Sequence, residues 1–380
     1  MKQCNVGIIG FGFIGKVHAY GYATLPFYYD ALPLRPRITH ICTSRPEAAE
    51  AGRAQLGADV ATTDYRDITE NPDIDIVHIC TPNHLHKDAL LSAIAHGKHI
   101  YCDKPLTATL DEAREVAAAL KGYAGTAQMT LQNRFFPATM HAKTLIDDGL
   151  LGKPLEFRAA YLHAGSADPA TPLKWKLDAA AGGGVIADLA SHVLDLVHYL
   201  LGDYAELFAA TQIAYPERPS AADPAVKVPV RAEDCVMLLA RMTDGALGNI
   251  EATKIATGTE DEVRLEIHGQ KGGIRFNSMA PHFLDVYDCR LAEGRQGWTQ
   301  VATGQRFPAP AAKFPAPKNS IGWMRVHAAC LANFLQAVLQ GAPGDPGLLQ
   351  GVYIQRLLHE TRRSADAKTW RPCPPSSNPL

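Results

Sequence analysis

Four clusters in the 380-residue chain have the residue types and spacing for chemistry. Gly10-Phe11-Gly12-Phe13-Ile14-Gly15 follows an apolar run, Cys4–Gly10, and opens a helical segment. In such a turn the first glycine permits the sharp bend and the second lets a pyrophosphate approach the backbone. The third lets helix and strand pack closely, and the helix N-terminus then faces the diphosphate. Cys102-Asp103-Lys104-Pro105 closes another apolar run. A lysine at the carboxyl edge of a strand can point at a ligand, or it can simply be solvated there. Asp188 and His192 stand four residues apart after Gly182-Gly183-Gly184, on a segment whose apolar stripe is Ile186, Leu189, Val193, Leu196, Val197 and Leu200. Ionisable groups on a helix built for burial are costly unless partnered. The pair reads as a carboxylate–imidazole couple for acid–base work, as a satisfied core hydrogen bond, or as part of a metal site with Asp195 or His198. No cysteine or further histidine cluster completes a metal shell, so no metal is expected. Thr81-Pro82-Asn83-His84-Leu85-His86 sits at a helix start beside the nucleotide turn and offers backbone and polar contacts.

Dinucleotide folds commonly place an acidic residue about 20 positions past the glycines, where it accepts from the ribose 2′-hydroxyl. Asp30 has that spacing but lies in the loop ahead of the second strand. The end of that strand reads Cys42-Thr43-Ser44-Arg45-Pro46, with donors and positive charge and no carboxylate. The expected cofactor is NAD or NADP, with NADP slightly favoured by Ser44 and Arg45. Arg45 equally fits a solvated helix start or a stack on adenine.

These clusters need elements to hold them. Up to about residue 127, apolar runs (Cys4–Gly10, Ile38–Thr43, Ile76–Thr81, His99–Cys102, Ala127–Leu131) alternate with helical segments from Pro46 to Leu56 and from about Leu85 to His96. A third helix begins at the capping-box pattern Thr109-Leu110-Asp111-Glu112. Continuous β-rich runs alternating with helices predict an α/β, doubly wound parallel sheet, a Rossmann domain over 1–127. From 128 to 380 a run of strands predicts an α+β domain with a mostly antiparallel sheet. Its strands are Leu155–His163, Leu207–Ile213, Cys235–Met242, Leu247–Lys254, Val263–His268, Gly273–Asn277 and Phe283–Tyr287, with hairpin turns at Asp244-Gly245 and Gly269–Gly273. Pro216–Pro229 and Phe307–Pro317 read as surface loops, and helices at Val326–Leu339 and Gly347–Arg363 close the chain.

Composition narrows the function. The 37 Lys+Arg and 39 Asp+Glu leave a net charge of −2, which gives no electrostatic reason to expect nucleic acid or an acidic membrane as partner. No uncharged apolar run reaches the ~18 residues of a membrane span. The glycines at Gly10, Gly12 and Gly15 argue against a signal-peptide core, and the eight scattered cysteines read as thiols in a reducing cytoplasm.

Taken together, Gly10–Gly15, Thr81–His86, Asp103-Lys104-Pro105, Gly182–Gly184 with Asp188, His192 and Asp195, and the Gly269–Gly273 turn resemble the Gfo/Idh/MocA family of sugar and cyclitol dehydrogenases. The likeness spans roughly residues 4 to 290. It implies a Rossmann domain followed by a large open sheet that commonly forms oligomer contacts, hence a homo-oligomer, dimer or tetramer. The family's Glu-Lys-Pro is Asp103-Lys104-Pro105 here, one methylene shorter at the acid. By position, Lys104 would hydrogen-bond the reacting hydroxyl, His192 would be the acid/base, and Asp188 would orient His192 or contact the sugar. Thr81, Asn83, His86, Asp103 and Lys104 would join Gly10, Gly12, Phe13, Ile14 and Gly15 around the dinucleotide. Gln132-Asn133-Arg134-Phe135 matches a segment that often contacts substrate, so Asn133 and Arg134 are candidates. Tyr161, His163, Trp175 and Lys176 join them from the second domain, because rings stack on sugar faces and polar groups read hydroxyls.

The implied activity is NAD(P)-dependent oxidation of a secondary hydroxyl of a sugar, anhydrosugar or inositol-type cyclitol. The alternatives are an enzyme that retains its dinucleotide for transient oxidation, and a dinucleotide-binding regulator without chemistry. The absence of a long N-terminal arm or a twin-arginine signal predicts a cytoplasmic rather than a periplasmic member.

Overall fold

The computed structural model describes residues 2–29, 34–304 and 322–377. Asp30 and the loop expected over Phe307–Pro317 lie outside the described residues. The chain forms two compact units, residues 1–135 with 308–352, and residues 136–307 with 353–380.

The first unit begins with β1 (Lys2–Ile9), α1 (Phe13–Tyr28), β2 (Leu34–Cys42), α2 (Pro46–Leu56), β3 (Val60–Thr62) and the short α3 (Arg66–Thr69). It continues through β4 (Ile76–Ile79), α4 (His86–Ala95), β5 (His99–Cys102), α5 (Leu110–Ala119) and β6 (Ala127–Met129). The six strands are parallel in the order β3-β2-β1-β4-β5-β6. That is the Rossmann order, with its crevice at the carboxyl ends of β1 and β4, where the strand order reverses. The core under the sheet is Ile9, Val77, Ile79, Leu90, Ile100 and Val116, all buried. Each such side chain contributes about 1.5–3 kcal/mol by leaving water. β3 is an edge strand of three residues that carries too little apolar patterning to be read from sequence. Because β6 completes the sheet, the first unit runs on to Phe135.

The second unit contains α6 (Pro137–Asp147), β7 (Pro154–Leu162), α7 (Ser191–Leu201), β8 (Tyr204–Gln212), β9 (Glu217–Pro219), β10 (Lys227–Pro229), β11 (Cys235–Met242) and β12 (Leu247–Thr253). Then follow β13 (Glu262–Gly269), β14 (Gly272–Asn277), β15 (Phe283–Asp288) and β16 (Thr299–Ala302). The helix α8 (Trp323–Gln340) belongs to the first unit, α9 (Leu348–Ala367) starts there and ends in the second, and β17 (Arg371–Pro372) closes the chain. Nine strands run β16-β15-β14-β13-β7-β12-β11-β8-β17. Every neighbouring pair is antiparallel except β7 with β12. Period-two burial along β11 puts Leu238, Ala240 and Met242 inside and leaves Met237 and Leu239 about half exposed. The sheet therefore buries one face and leaves an apolar strip on the other.

One expectation is corrected here. The stretch 216–229 is not simply a loop, since β9 and β10 pair as a two-stranded ribbon. The helix expected after the triple glycine is present, with its first turns, Ile186–Ala190, wound as a π helix that leads into α7. Residues 179–201 are long and apolar enough to cross a membrane, yet 78% of an 18-residue window within them is buried inside the protein, as in a core helix. The cysteines form no disulfide.

The capping box is complete. Glu112 N–H donates to Thr109 Oγ1 at 3.2 Å, and Glu112 Oε2 accepts from Thr109 N–H at 3.1 Å. Thr109→Ala is expected to cost about 1 kcal/mol, measured by urea denaturation, with dinucleotide affinity unchanged.

Candidate active site

In the first unit the candidate residues gather where three strands end. Gly10 N–H donates to the Cys42 carbonyl and Cys80 N–H to the Ile9 carbonyl, both at 2.8 Å, tying β1 to its two neighbours. Gly10 has φ +94°, and a Cβ there would lie 2.6 Å from the Cys80 carbonyl carbon. A Cβ on Gly15 would lie 2.1 Å from the Gly10 carbonyl oxygen. At Gly12 no atom stands within 4 Å of that position. Two glycines are thus demanded by the fold itself, and the exposed one is where a ligand can meet the backbone. Thr81 Oγ1, just past β4, is buried without a hydrogen-bond partner among the described residues. A crevice with bare backbone, a helix N-terminus and an unsatisfied hydroxyl fits a dinucleotide diphosphate. Phe13 is 71% exposed beside it and Ile14 half-buried.

Ser44 and Arg45 are exposed at the start of α2. Arg45 Nη1 lies 3.5 Å from Glu47 Oε1, so its charge is shared with a carboxylate on its own helix.

Asn83 and His86 are buried. His86 Nε2 sits 2.8 Å from the Thr81 carbonyl, while Nδ1 sits 3.1 Å from that of Pro105 and 3.2 Å from that of Leu106. Burial holds its pKa below the ordinary histidine range, against the opposing pull of these carbonyls. With no exposed surface, the ring packs between the loop after β4 and the loop after β5, its one N–H donating to a carbonyl of one of them. The latter carries half-buried Asp103 and Lys104. His327, on α8, is fully buried and feels the charge of Lys104. Asn133 and Arg134 are also buried, with Arg134 Nη1 3.8 Å from Asp345 Oδ1.

In the second unit the candidates centre on Asp188, within the π turn. Gly184, at φ +105°, lies against the Glu233 carboxylate, 2.4 Å from where a Cβ would be, and Glu233 Oε1 accepts from Ile186 N–H at 3.1 Å. This fixes the entry to the turn. Lys254 Nζ reaches Asp188 Oδ2 at 2.7 Å, and Lys176 Nζ reaches Oδ1 at 3.2 Å. The carboxylate thus meets two ammonium groups. His192 is 4% exposed on α7, and the Tyr161 ring lies beside it at 5.6 Å between centroids. The Tyr161 hydroxyl donates to Asp261 Oδ1 at 2.7 Å. Burial, then Asp261, then Asp188 push that phenol well above its usual pKa, so it stays protonated. His163 is half-buried and its Nδ1 accepts from Gly165 N–H at 2.7 Å, a bond within its own loop. Trp175 is 37% exposed, with Lys176 Nζ 5.8 Å from its ring centre. Among the described residues no group of three metal-ligating side chains converges.

Sequence reasoning missed Lys254. Its signal was a lysine closing an apolar strand, the same feature that drew attention to Lys104.

Residues 4–130 match the family profile described as oxidoreductase family, NAD-binding Rossmann fold, and residues 139–275 match the GFO/IDH/MocA C-terminal domain. The chain belongs to the Gfo/Idh/MocA oxidoreductases. It is 34% identical to levoglucosan dehydrogenase of Pseudarthrobacter phenanthrenivorans over 97% of this chain and 98% of that one. It is 28% identical to scyllo-inositol 2-dehydrogenase (NAD(+)) of Bacillus subtilis over 76% and 78% of the two chains. A solved levoglucosan dehydrogenase, in complex with NADH and levoglucosan, superposes with a TM-score of 0.93 at 34% identity, covering 98% of this chain and all of that one. The expected fold, a parallel Rossmann sheet followed by a mostly antiparallel one, is the fold observed.

Gly12→Ala adds a methyl group where the protein leaves space, so it is expected to weaken NADH binding at least 10-fold with little change in Tm. Gly15→Ala meets the Gly10 carbonyl and is expected to lower Tm outright. Isothermal titration and thermal denaturation separate the two.

Proposed function

We propose that this oxidoreductase removes hydride from a secondary hydroxyl of a sugar, anhydrosugar or cyclitol. Likeness to levoglucosan dehydrogenase along nearly the whole chain, with Lys104, Asp188 and His192 all present, carries the reading. The first unit binds the dinucleotide, and the second supplies substrate contacts and subunit contacts. Bound NAD supplies the hydride acceptor at nicotinamide C4. Gly10, Gly12, Phe13, Ile14 and Gly15 cradle its diphosphate, and Thr81, Asn83 and Asp103 line the crevice. Lys104 stabilises negative charge as it develops on the substrate oxygen. His192 accepts the hydroxyl proton, which an imidazole can do near neutral pH. Asn133, Arg134, His163 and Trp175 are the candidate sugar contacts. The balance is one hydride to the dinucleotide and one proton to His192, which leaves a ketone.

NADH complexes of a relative support NAD as the working dinucleotide. The strand end at Ser44 and Arg45 presents no carboxylate of its own, so NADP is tolerated. Arg45→Ala is expected to raise KM for NADP several-fold more than KM for NAD, in parallel steady-state assays. The exposed apolar strip at Met237, Leu239 and Leu247 supports a homo-oligomer, dimer or tetramer, through the open face of the second sheet.

Levoglucosan, myo-inositol, other cyclitols and common aldoses, each offered with NAD and NADP, should yield at least one substrate that reduces the dinucleotide. A full panel without turnover defeats the proposal. With that substrate, Lys104→Ala and His192→Ala are each expected to lower kcat by about 10²–10⁴-fold while NADH affinity holds. Near-normal turnover in either variant removes that residue from the mechanism.

A further inference from the structure

We propose that Lys254 is a positioning residue: its buried ammonium fixes Asp188 as a carboxylate, so that Asp188 orients the reaction and does not carry the proton. The inference rests on the reading of Asp188 and His192 as the reactive pair.

Lys254 directly follows β12, and its side chain is 8% exposed against 13% for Asp188. At 2.7 Å the contact is a charge-assisted hydrogen bond, the strong kind. Lys176 also touches Asp188, but its side chain is 53% exposed, and an ion pair so open to water contributes little. Lys254 is therefore the closer and less exposed of the two lysines on the carboxylate.

The backbone around Lys254 is itself locked. Its N–H donates to the Asp234 carbonyl at 2.9 Å, and its carbonyl accepts from Ser166 N–H at 2.8 Å. Asp234 pairs with Arg218 at 3.7 Å, both side chains being fully buried. Arg218 in turn donates to the carbonyls of Ser166 and Asp168, at 2.6 and 2.8 Å. A rigid frame thus aims one ammonium at one carboxylate.

The ionisable groups near Asp188 include Lys254 and Lys176, which contact it, and Tyr161 from β7, which feels its charge; His192 follows four residues on, and Glu233 holds the turn's entry. The two lysines are the permanent cations of this set, and opposite charge within ~4–6 Å favours the ionised carboxylate. A carboxylate held this way is a poor proton acceptor near pH 7, which leaves that task to His192.

The test compares Lys254→Met, Lys254→Arg, Asp188→Asn and the double variant Asp188→Asn/Lys254→Met. Activity is read as kcat/KM against pH with NAD and levoglucosan, or myo-inositol if only that is turned over. Lys254→Met is expected to lose roughly 10–100-fold at neutral pH and to shift the acid limb of the profile upward, with NADH affinity unchanged. Lys254→Arg should retain the wild-type profile, and Lys254→Met should add less than about 2-fold to the loss in Asp188→Asn. A wild-type pH profile in Lys254→Met, or an equal loss on both backgrounds, overturns the proposal.

Stability gives a readout that needs no substrate. Without Lys254 the folded-state pKa of Asp188 rises above its unfolded value. The Lys254→Met deficit in Tm should then be largest at neutral pH, shrink on acidification, and lose its pH dependence in the double variant. A deficit equal at all pH values overturns the assignment. If Lys254→Met fails to fold, recovery in the double variant supports it and failure of both overturns it. Should no polyol be turned over, the proposed function falls while this pairing is still decided.

Discussion

A carboxylate in the turn of a buried helix stays ionised only where cations meet it, and the second unit is arranged around that demand. The segment before α7 carries apolar side chains on nearly every other position, yet Asp188 stands in it. A lone charge at such a position would cost several kcal/mol. The glycines before it let the chain pass against Glu233 and enter a π turn, a deviation often found at functional sites. The Asp188 side chain then meets Lys254 from the end of β12 and Lys176 from the preceding segment. Removing the carboxylate would leave a buried ammonium unmatched, and removing the ammonium would leave a buried carboxylate. Each requires the other, and the elements that carry them are thereby fixed in register.

The first unit obeys a different constraint, close approach of backbone to backbone. β1 must end against both β2 and β4, so the turn at Gly10 has no room for a side chain, and α1 must start so near that turn that Gly15 has none either. The same crowding brings the loops after β4 and β5 close, and the His86 ring packs between their carbonyls. Open space at Gly12 is the one relief in this packing. The crevice is thus a by-product of strands whose carboxyl ends are tied tightly everywhere else.

Much of this was legible in the sequence because it depends on local rules. The strand His99–Cys102, the helix Pro46–Leu56 and the capping box at Thr109 all appear where the residues placed them. The glycine pattern announced its turn, since only glycine tolerates such contacts. What escaped depended on tertiary partners. β3 is a short edge strand, and β9 and β10 exist because two segments rich in proline happen to pair. The π turn departs from the regular helix that the apolar stripe suggested. Lys254 lies 66 positions beyond Asp188 in the chain, and no periodicity connects them. The i,i+4 spacing pointed from Asp188 to His192, and nothing local pointed to the 2.7 Å ion pair with Lys254.

Histidines illustrate why residue type alone misleads. Behind the loop carrying Lys104, His18 and His78 approach within 3.0 Å between Nδ1 atoms, and the Tyr22 hydroxyl contacts His78 Nε2 at 2.7 Å. Burial pushes the pKa of His18 down to about 3, and burial with His18 beside it pushes that of His78 well below the ordinary range. His327 is lowered likewise, by burial first and then by His18 and Lys104. At neutral pH these rings carry no charge, so the cluster packs as polarisable core and sets no second cation against Lys104. A charged imidazole there would oppose the lysine's ammonium in a medium that screens poorly. The buried histidines therefore serve as packing, and none of them need touch a substrate.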